Sequence, residues 1–140
     1  MINHDWPFGH LPKDKASEGA IYIAETNMAT YSEDPHVLRE LKRYLLLRRT
    51  LKRRVTMQSK RVDDAWHKFI LDTRNYHAFC ERVFGEYLHH ESAHFALDEG
   101  FPSAYAELFG EELPSIWFEP EEVPATAWHN DTYYDSGNCA

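Results

Sequence analysis

Hydrophobic positions along the chain recur at helical steps in several stretches separated by polar or proline-containing segments. Val37, Leu38, Leu41, Tyr44, Leu45 and Leu51 return every three or four residues, the period of one face of an α-helix. Ser32, ahead of Glu33, Asp34 and Pro35, supplies the start: a capping hydroxyl, acids for the free N–H groups, and a proline with no N–H to lose. The pattern predicts an amphipathic helix of about five turns opening at Ser32. Arg39, Lys42, Arg43, Arg48, Arg49, Lys52 and Arg53 fill most of its remaining surface. After a polar break at 56–61 the helical period resumes over 62–71, with Trp66, Phe69 and Ile70. Asp72 or Thr73 can cap a further helix that puts Tyr76, Phe79, Cys80, Val83 and Phe84 on one side, and Gly85 ends it or marks a close approach of backbones.

Elsewhere the period is weaker. Residues 1–31 hold Pro7, Gly9, Pro12 and Gly19 and read as an irregular lead-in, within which A-I-Y-I-A (20–24) is an extended stretch or the start of a short helix. F-P-S-A-Y-A-E-L-F-G (101–110) has proline near its start and glycine at its end, the asymmetry of a short helix. The following L-P-S-I-W-F-E-P-E-E-V-P carries three prolines and reads as an extended wrap anchored by Trp117 and Phe118. The expected architecture is mostly α: a small single-domain bundle over 32–118, preceded by the lead-in and followed by an acidic extended tail over 119–140.

Composition places this bundle among soluble globular proteins. The chain has 140 residues, a hydrophobic fraction of 43% and an aromatic fraction of 14%, enough for a single core. No apolar run approaches the roughly 20 residues that cross a bilayer, and M-I-N-H-D-W-P-F-G-H lacks the form of a secretory signal, so a cytoplasmic location is expected. Cys80 and Cys139 show no pairing signal and no CxxC spacing.

The net charge of −8 is unevenly laid out. Ten of the fifteen Lys and Arg residues lie within 39–61, whereas from Glu91 onward there are eleven acids and no Lys or Arg. This division suits a protein partner or self-association through the basic helix and the acidic tail. The run R-R-T-L-K-R-R, with Arg48, Arg49, Lys52 and Arg53 as its candidate contact residues, could also follow a phosphate backbone. An acidic chain without aromatic platforms in that run makes nucleic acid the weaker reading. A membrane surface is weaker still, because the apolar stripe of the helix is needed for the core.

The chemistry concentrates around V-D-D-A-W-H (62–67). Asp63 and His67, four apart, share a helix face, so a carboxylate can fix the tautomer of an imidazole and leave its other nitrogen available. Asp63, His67, His90 and His94 together would form a mixed nitrogen and oxygen site suited to zinc, iron or manganese, with Asp63 either a ligand or a carboxylate behind a ligating histidine. Trp66, Tyr76 and Cys80 would complete a semi-buried polar cluster. The bland alternative is a buried network that only satisfies its own hydrogen bonds. No H-E-x-x-H, nucleophile elbow, P-loop or dinucleotide fingerprint occurs, and Cys80 on an apolar face reads as an inert core residue, so no catalytic residue is assigned.

The spacing D-x-x-W-H, T-x-x-Y-x-x-F-C and F-G-x-Y-L-x-H, carried by Asp63, Trp66, His67, Thr73, Tyr76, Phe79, Cys80, Phe84, Gly85 and His90, resembles the glycine-rich domain proteins of plants and their short bacterial relatives. The resemblance covers about a fifth of the chain. It implies a small helical domain with no established activity and strengthens the expectation of a divalent metal. Phe69 stands where plant members tend to have a second histidine and Thr73 where they tend to have proline, which weakens a metal held by that helix alone.

Overall fold

The computed structural model describes residues 6–90 and 98–118. Among these the chain forms five α-helices and no strand: α1 (Glu18–Glu25), α2 (Pro35–Leu51), α3 (Lys60–Leu71), α4 (Thr73–Phe84) and α5 (Phe101–Phe109). Single 3-10 turns occupy Lys13–Lys15, Ala29–Tyr31 and Ser115–Trp117. The mostly α class expected from periodicity is the class adopted, and no helix among the described residues is long and apolar enough to cross a membrane. The expected tail over 119–140, with Cys139, lies outside the described residues.

Local chemistry accounts for the boundaries. Ser17 and Ser59 cap α1 and α3, their hydroxyls accepting from Ala20 N at 3.1 Å and Val62 N at 3.2 Å. The hydroxyl of Ser32 does not cap α2 directly: Asp34 is the cap, accepting from His36 N at 2.9 Å, while Ser32 Oγ accepts from Asp34 N one step earlier. Asp72 sits between α3 and α4 and belongs to both ends, yet its carboxylate caps neither; it accepts from Tyr31 Oη at 2.6 Å and Asn75 Nδ2 at 2.8 Å. Left-handed residues Lys52, Gly85 and Gly110 close α2, α4 and α5.

α2 is the hub, packed on α1, α3 and α5, with α4 against α3 and α1. Its leucines Leu41, Leu45, Leu46 and Leu47 are buried, joined by Ile23 of α1, Phe69 of α3, Phe79 of α4 and Phe109 of α5. Each such side chain withdrawn from water stabilises the fold by about 1.5–3 kcal/mol. Packing on several sides also changes the polar positions of α2. Arg43, expected on its surface, is 2% exposed and lies in an ion network with buried Glu40. The stretch 20–24 is helical, inside α1, and Phe8 and Ile23 reach the core, so the packed body begins well before Ser32. At the other end Trp117 is buried as an anchor, whereas Phe118 is 57% exposed and not part of the core. The segment before α3 is also partly buried: Val55 and, within the polar break, Met57 join the core, and Gln58 accepts from Asp98 N at 2.8 Å.

Candidate metal centre

The first turn of α3 sets the site. Ser59 starts the helix so that Val62, Ala65, Trp66 and Phe69 face the core, and this phase carries Asp63 inward as well. His67, one turn later, follows Asp63 on the edge of the buried face, its side chain 24% exposed. His90 arrives from beyond α4, 27 residues from Asp63, and is 3% exposed. Its Nε2 lies 2.5 Å from Asp63 Oδ1, and His67 Nε2 lies 3.2 Å from Asp63 Oδ2. One carboxylate thus faces two imidazoles, one on each oxygen, and the two rings meet edge to face at 4.4 Å. One ligand-capable atom from each of the three residues falls within 4.8 Å of the other two.

A relay of hydrogen bonds places His90. Trp66 Nε1 donates to Tyr76 Oη at 3.2 Å, and Tyr76 Oη donates to the Leu88 carbonyl at 2.6 Å, two residues before His90. The Trp66 ring also lies against the His90 ring, 4.5 Å between centroids. α3 therefore supplies Asp63 and His67, and through Trp66 and Tyr76 it fixes the segment that delivers the third group. Cys80 lies under the same segment, fully buried. Burial pushes its thiol above the ordinary value, so it stays protonated at neutral pH and takes no part in the ligand group. The expected cluster of Asp63, Trp66, His67, Tyr76, Cys80 and His90 does meet in space, while His94 lies outside the described residues.

Burial alone would raise the Asp63 carboxyl, but the hydrogen bonds from His67 and His90 outweigh it and hold Asp63 below the usual carboxylate value. The site accordingly presents an anion between two imidazoles at neutral pH. His90 Nδ1 is buried and has no hydrogen-bond partner among the described residues. A buried polar atom left in that state costs about 1–3 kcal/mol. The triad therefore does not complete its own hydrogen bonding. Sequence spacing suggested Asp63 with His67 directly; the role of the Leu88 carbonyl has no sequence signal, because any residue type carries it.

The basic residues of α2 and of the turn that follows it are largely occupied within the fold. Arg48 Nη1 donates to Tyr44 Oη at 3.0 Å, Arg49 Nε donates to the Val83 carbonyl at 3.0 Å, and Arg53 pairs with Asp98 at 3.2 Å. Lys52 is the exposed left-handed residue that ends the helix.

A family model described as UCP032817-like matches residues 20–102, a span that holds most of α1, all of α2 to α4 and all three ligand-capable residues. That match replaces the resemblance to the glycine-rich domain proteins, which rested on scattered residues between Asp63 and His90. No curated protein and no solved structure matches the chain.

Proposed function

The chain belongs to the UCP032817-like family, whose description names no reaction or ligand, and we propose that its work is to hold one divalent metal ion between Asp63, His67 and His90. The observation that carries this reading is the convergence of three donors from two separate stretches of chain, their ligand atoms within 4.8 Å of one another. Two imidazoles and one carboxylate form a donor set for zinc, and for iron or manganese where more positions stay open. Tetrahedral zinc at about 2.0–2.1 Å from its ligands separates neighbouring ligand atoms by about 3.3 Å. The 3.2 Å between His67 and Asp63 already matches that spacing, and the 2.5 Å between His90 and Asp63 has to widen by roughly 0.8 Å. Three protein ligands leave a position for water or an external ligand, on the side where His67 meets solvent.

The rival reading is a structural triad within an adaptor that meets an acidic protein or nucleic acid through its basic face; the two hydrogen-bond distances at Asp63 favour it. Metal analysis of protein purified without a histidine tag separates the two. We expect about one ion per chain, less than a tenth of that in His67→Ala and His90→Ala, and a melting temperature that drops on chelation. Metal-free protein whose melting is unchanged by chelator and by added zinc, iron and manganese would overturn the metal reading and leave the structural one.

A further inference from the structure

Away from the metal centre, a cleft of about 690 Å³ opens between the first residues of the described body, the end of α1 and the start of α2. Its volume is in the range of ligand sites. The apolar part of its wall includes Trp6, Met28 and Leu38, and its charged lining consists of Lys13, Arg39 and Lys42 against Glu25; Arg39 is paired with the Glu40 carboxylate behind the wall at 2.9 Å and Lys42 donates to the Ala24 carbonyl at 2.7 Å, so the cations still outnumber the carboxylates by three to two. The excess of positive charge is notable on a chain of net charge −8. The Lys13 ammonium stands over the Trp6 ring at 6.0 Å, a cation beside an aromatic surface. The occupant that suits this wall is acidic and carries apolar or aromatic side chains.

We propose that the cleft is the docking site of the chain's own C-terminal segment, residues 119–140. Charge complementarity is the first argument. The segment holds Glu119, Glu121, Glu122, Asp131 and Asp135 and no Lys or Arg, with Val123, Trp128, Tyr133 and Tyr134 as its apolar side chains. Place is the second. The described body ends at Phe118, and Trp117 Nε1 donates to Glu40 Oε1 at 2.9 Å, while Arg39 Nε donates to the other oxygen of the same carboxylate at 2.9 Å. One side chain therefore links the root of the segment to a wall residue of the cleft. Length is the third: the 22 residues that follow Phe118 extend, at about 3.3 Å each, to roughly 70 Å. Tethering supplies an effective concentration of about a millimolar, so a contact too weak to capture a free acidic peptide still closes within one chain.

The test uses the full-length chain. Carbodiimide coupling joins a lysine amine to a carboxylate with no spacer, and peptide mass spectrometry locates the bond. We expect coupling from the five acids of 119–140 to fall on Lys13 and Lys42 at least fivefold above Lys52, Lys60 and Lys68. It should be independent of protein concentration and lost in about 1 M salt, where the screening length falls to about 3 Å. A second measurement does not depend on coupling: replacing Glu119, Glu121 and Glu122 together by Gln, which leaves every residue of the cleft wall unchanged, should shift the backbone amide resonances of Thr26, Asn27 and Ala29. Coupling spread evenly over the lysines, or no amide shift at the cleft, would overturn the proposal. Coupling found only between isotopically distinct chains would overturn it in favour of a second copy as the occupant.

Discussion

Gly9 shows how tightly single residues are constrained near the chain's beginning. Its φ of +56° lies in the left-handed region, and a Cβ there would stand 2.7 Å from the Phe109 carbonyl oxygen and 2.5 Å from a Glu111 carboxylate oxygen. That carbonyl already accepts from His10 N at 2.8 Å, so moving it aside strains a hydrogen bond. Gly85 shares the left-handed conformation, with φ +75°, but a Cβ there meets nothing within 4 Å. Gly85→Ala should therefore cost only the conformational term, about 1–2 kcal/mol. Gly9→Ala should cost distinctly more, about 3 kcal/mol, because overpacking is added to it. Urea denaturation of both variants checks this; equal losses would mean that the start of the chain moves aside freely. Tyr76 is the second such residue. Tyr76→Phe removes the acceptor of Trp66 Nε1 and the donor to Leu88 O together, and it should destabilise the fold by about 1–3 kcal/mol. If the relay positions His90, the variant also binds metal at least about tenfold more weakly, by titration, because supporting partners of a ligand carry effects of that size. Unchanged metal affinity with lowered stability would show Tyr76 to be only a packing residue.

At the scale of elements, the sequence was most informative where a residue repeats with the helical period. The pattern behind α2, α3, α4 and α5 comes from apolar faces and local caps, which act within a few residues and can be read within a few residues. The placement of Asp63 with His67 was legible for the same reason, being a one-turn relation inside α3. Capping was harder to assign. Ser32, Asp34 and Asp72 are all good acceptors, and which amide each serves depends on partners such as Tyr31 that lie 41 residues away. Asp98 shows how such a long-range partner governs an element. Its carboxylate accepts from Arg53, from Thr56 N and from Gly100 N, joining the loop after α2 to the start of α5. Burial opposes its ionisation, but the Arg53 hydrogen bond and the backbone donors prevail and hold its carboxyl below the usual carboxylate value. A depressed folded-state value stabilises the fold above the unfolded value and is lost as pH falls through the folded one. The contribution should thus be intact at neutral pH and disappear progressively below about pH 4. Asp98→Asn should be less stable at pH 7 and converge with wild type towards pH 2, followed by thermal melting. A constant gap across that range would assign the effect to packing rather than charge.

Over the whole molecule, the least legible feature is the one that joins the most distant parts. Glu40 accepts from Tyr105 Oη at 2.7 Å and Trp117 Nε1 at 2.9 Å, and Arg43 donates to Tyr105 Oη at 2.5 Å, to Glu111 Oε1 at 3.0 Å and to the Pro7 carbonyl at 2.5 Å. The first described residues, α2, α5 and the closing turn thus meet in one buried network whose members lie 36 to 77 residues apart. Nothing in the local pattern of α2 distinguishes Arg43 from its half-buried basic neighbours, because the distinction is made by chain that arrives from both ends. Such networks are costly to break on one side, since the remaining charge stays buried without its partner. Glu40→Ala should therefore cost about 3–5 kcal/mol. Glu40→Gln keeps an oxygen for Tyr105 and Trp117 and should lose less, about 1–3 kcal/mol, the part that belongs to the negative charge facing Arg39 and Arg43. In a double-mutant cycle of Glu40→Gln with Tyr105→Phe, the coupling should exceed the roughly 0.3–0.5 kcal/mol seen for independent sites. Equal costs for Ala and Gln would show that the ionic contact, not the acceptor geometry, joins the two ends; additive costs in the cycle would show that Tyr105 and Glu40 act separately.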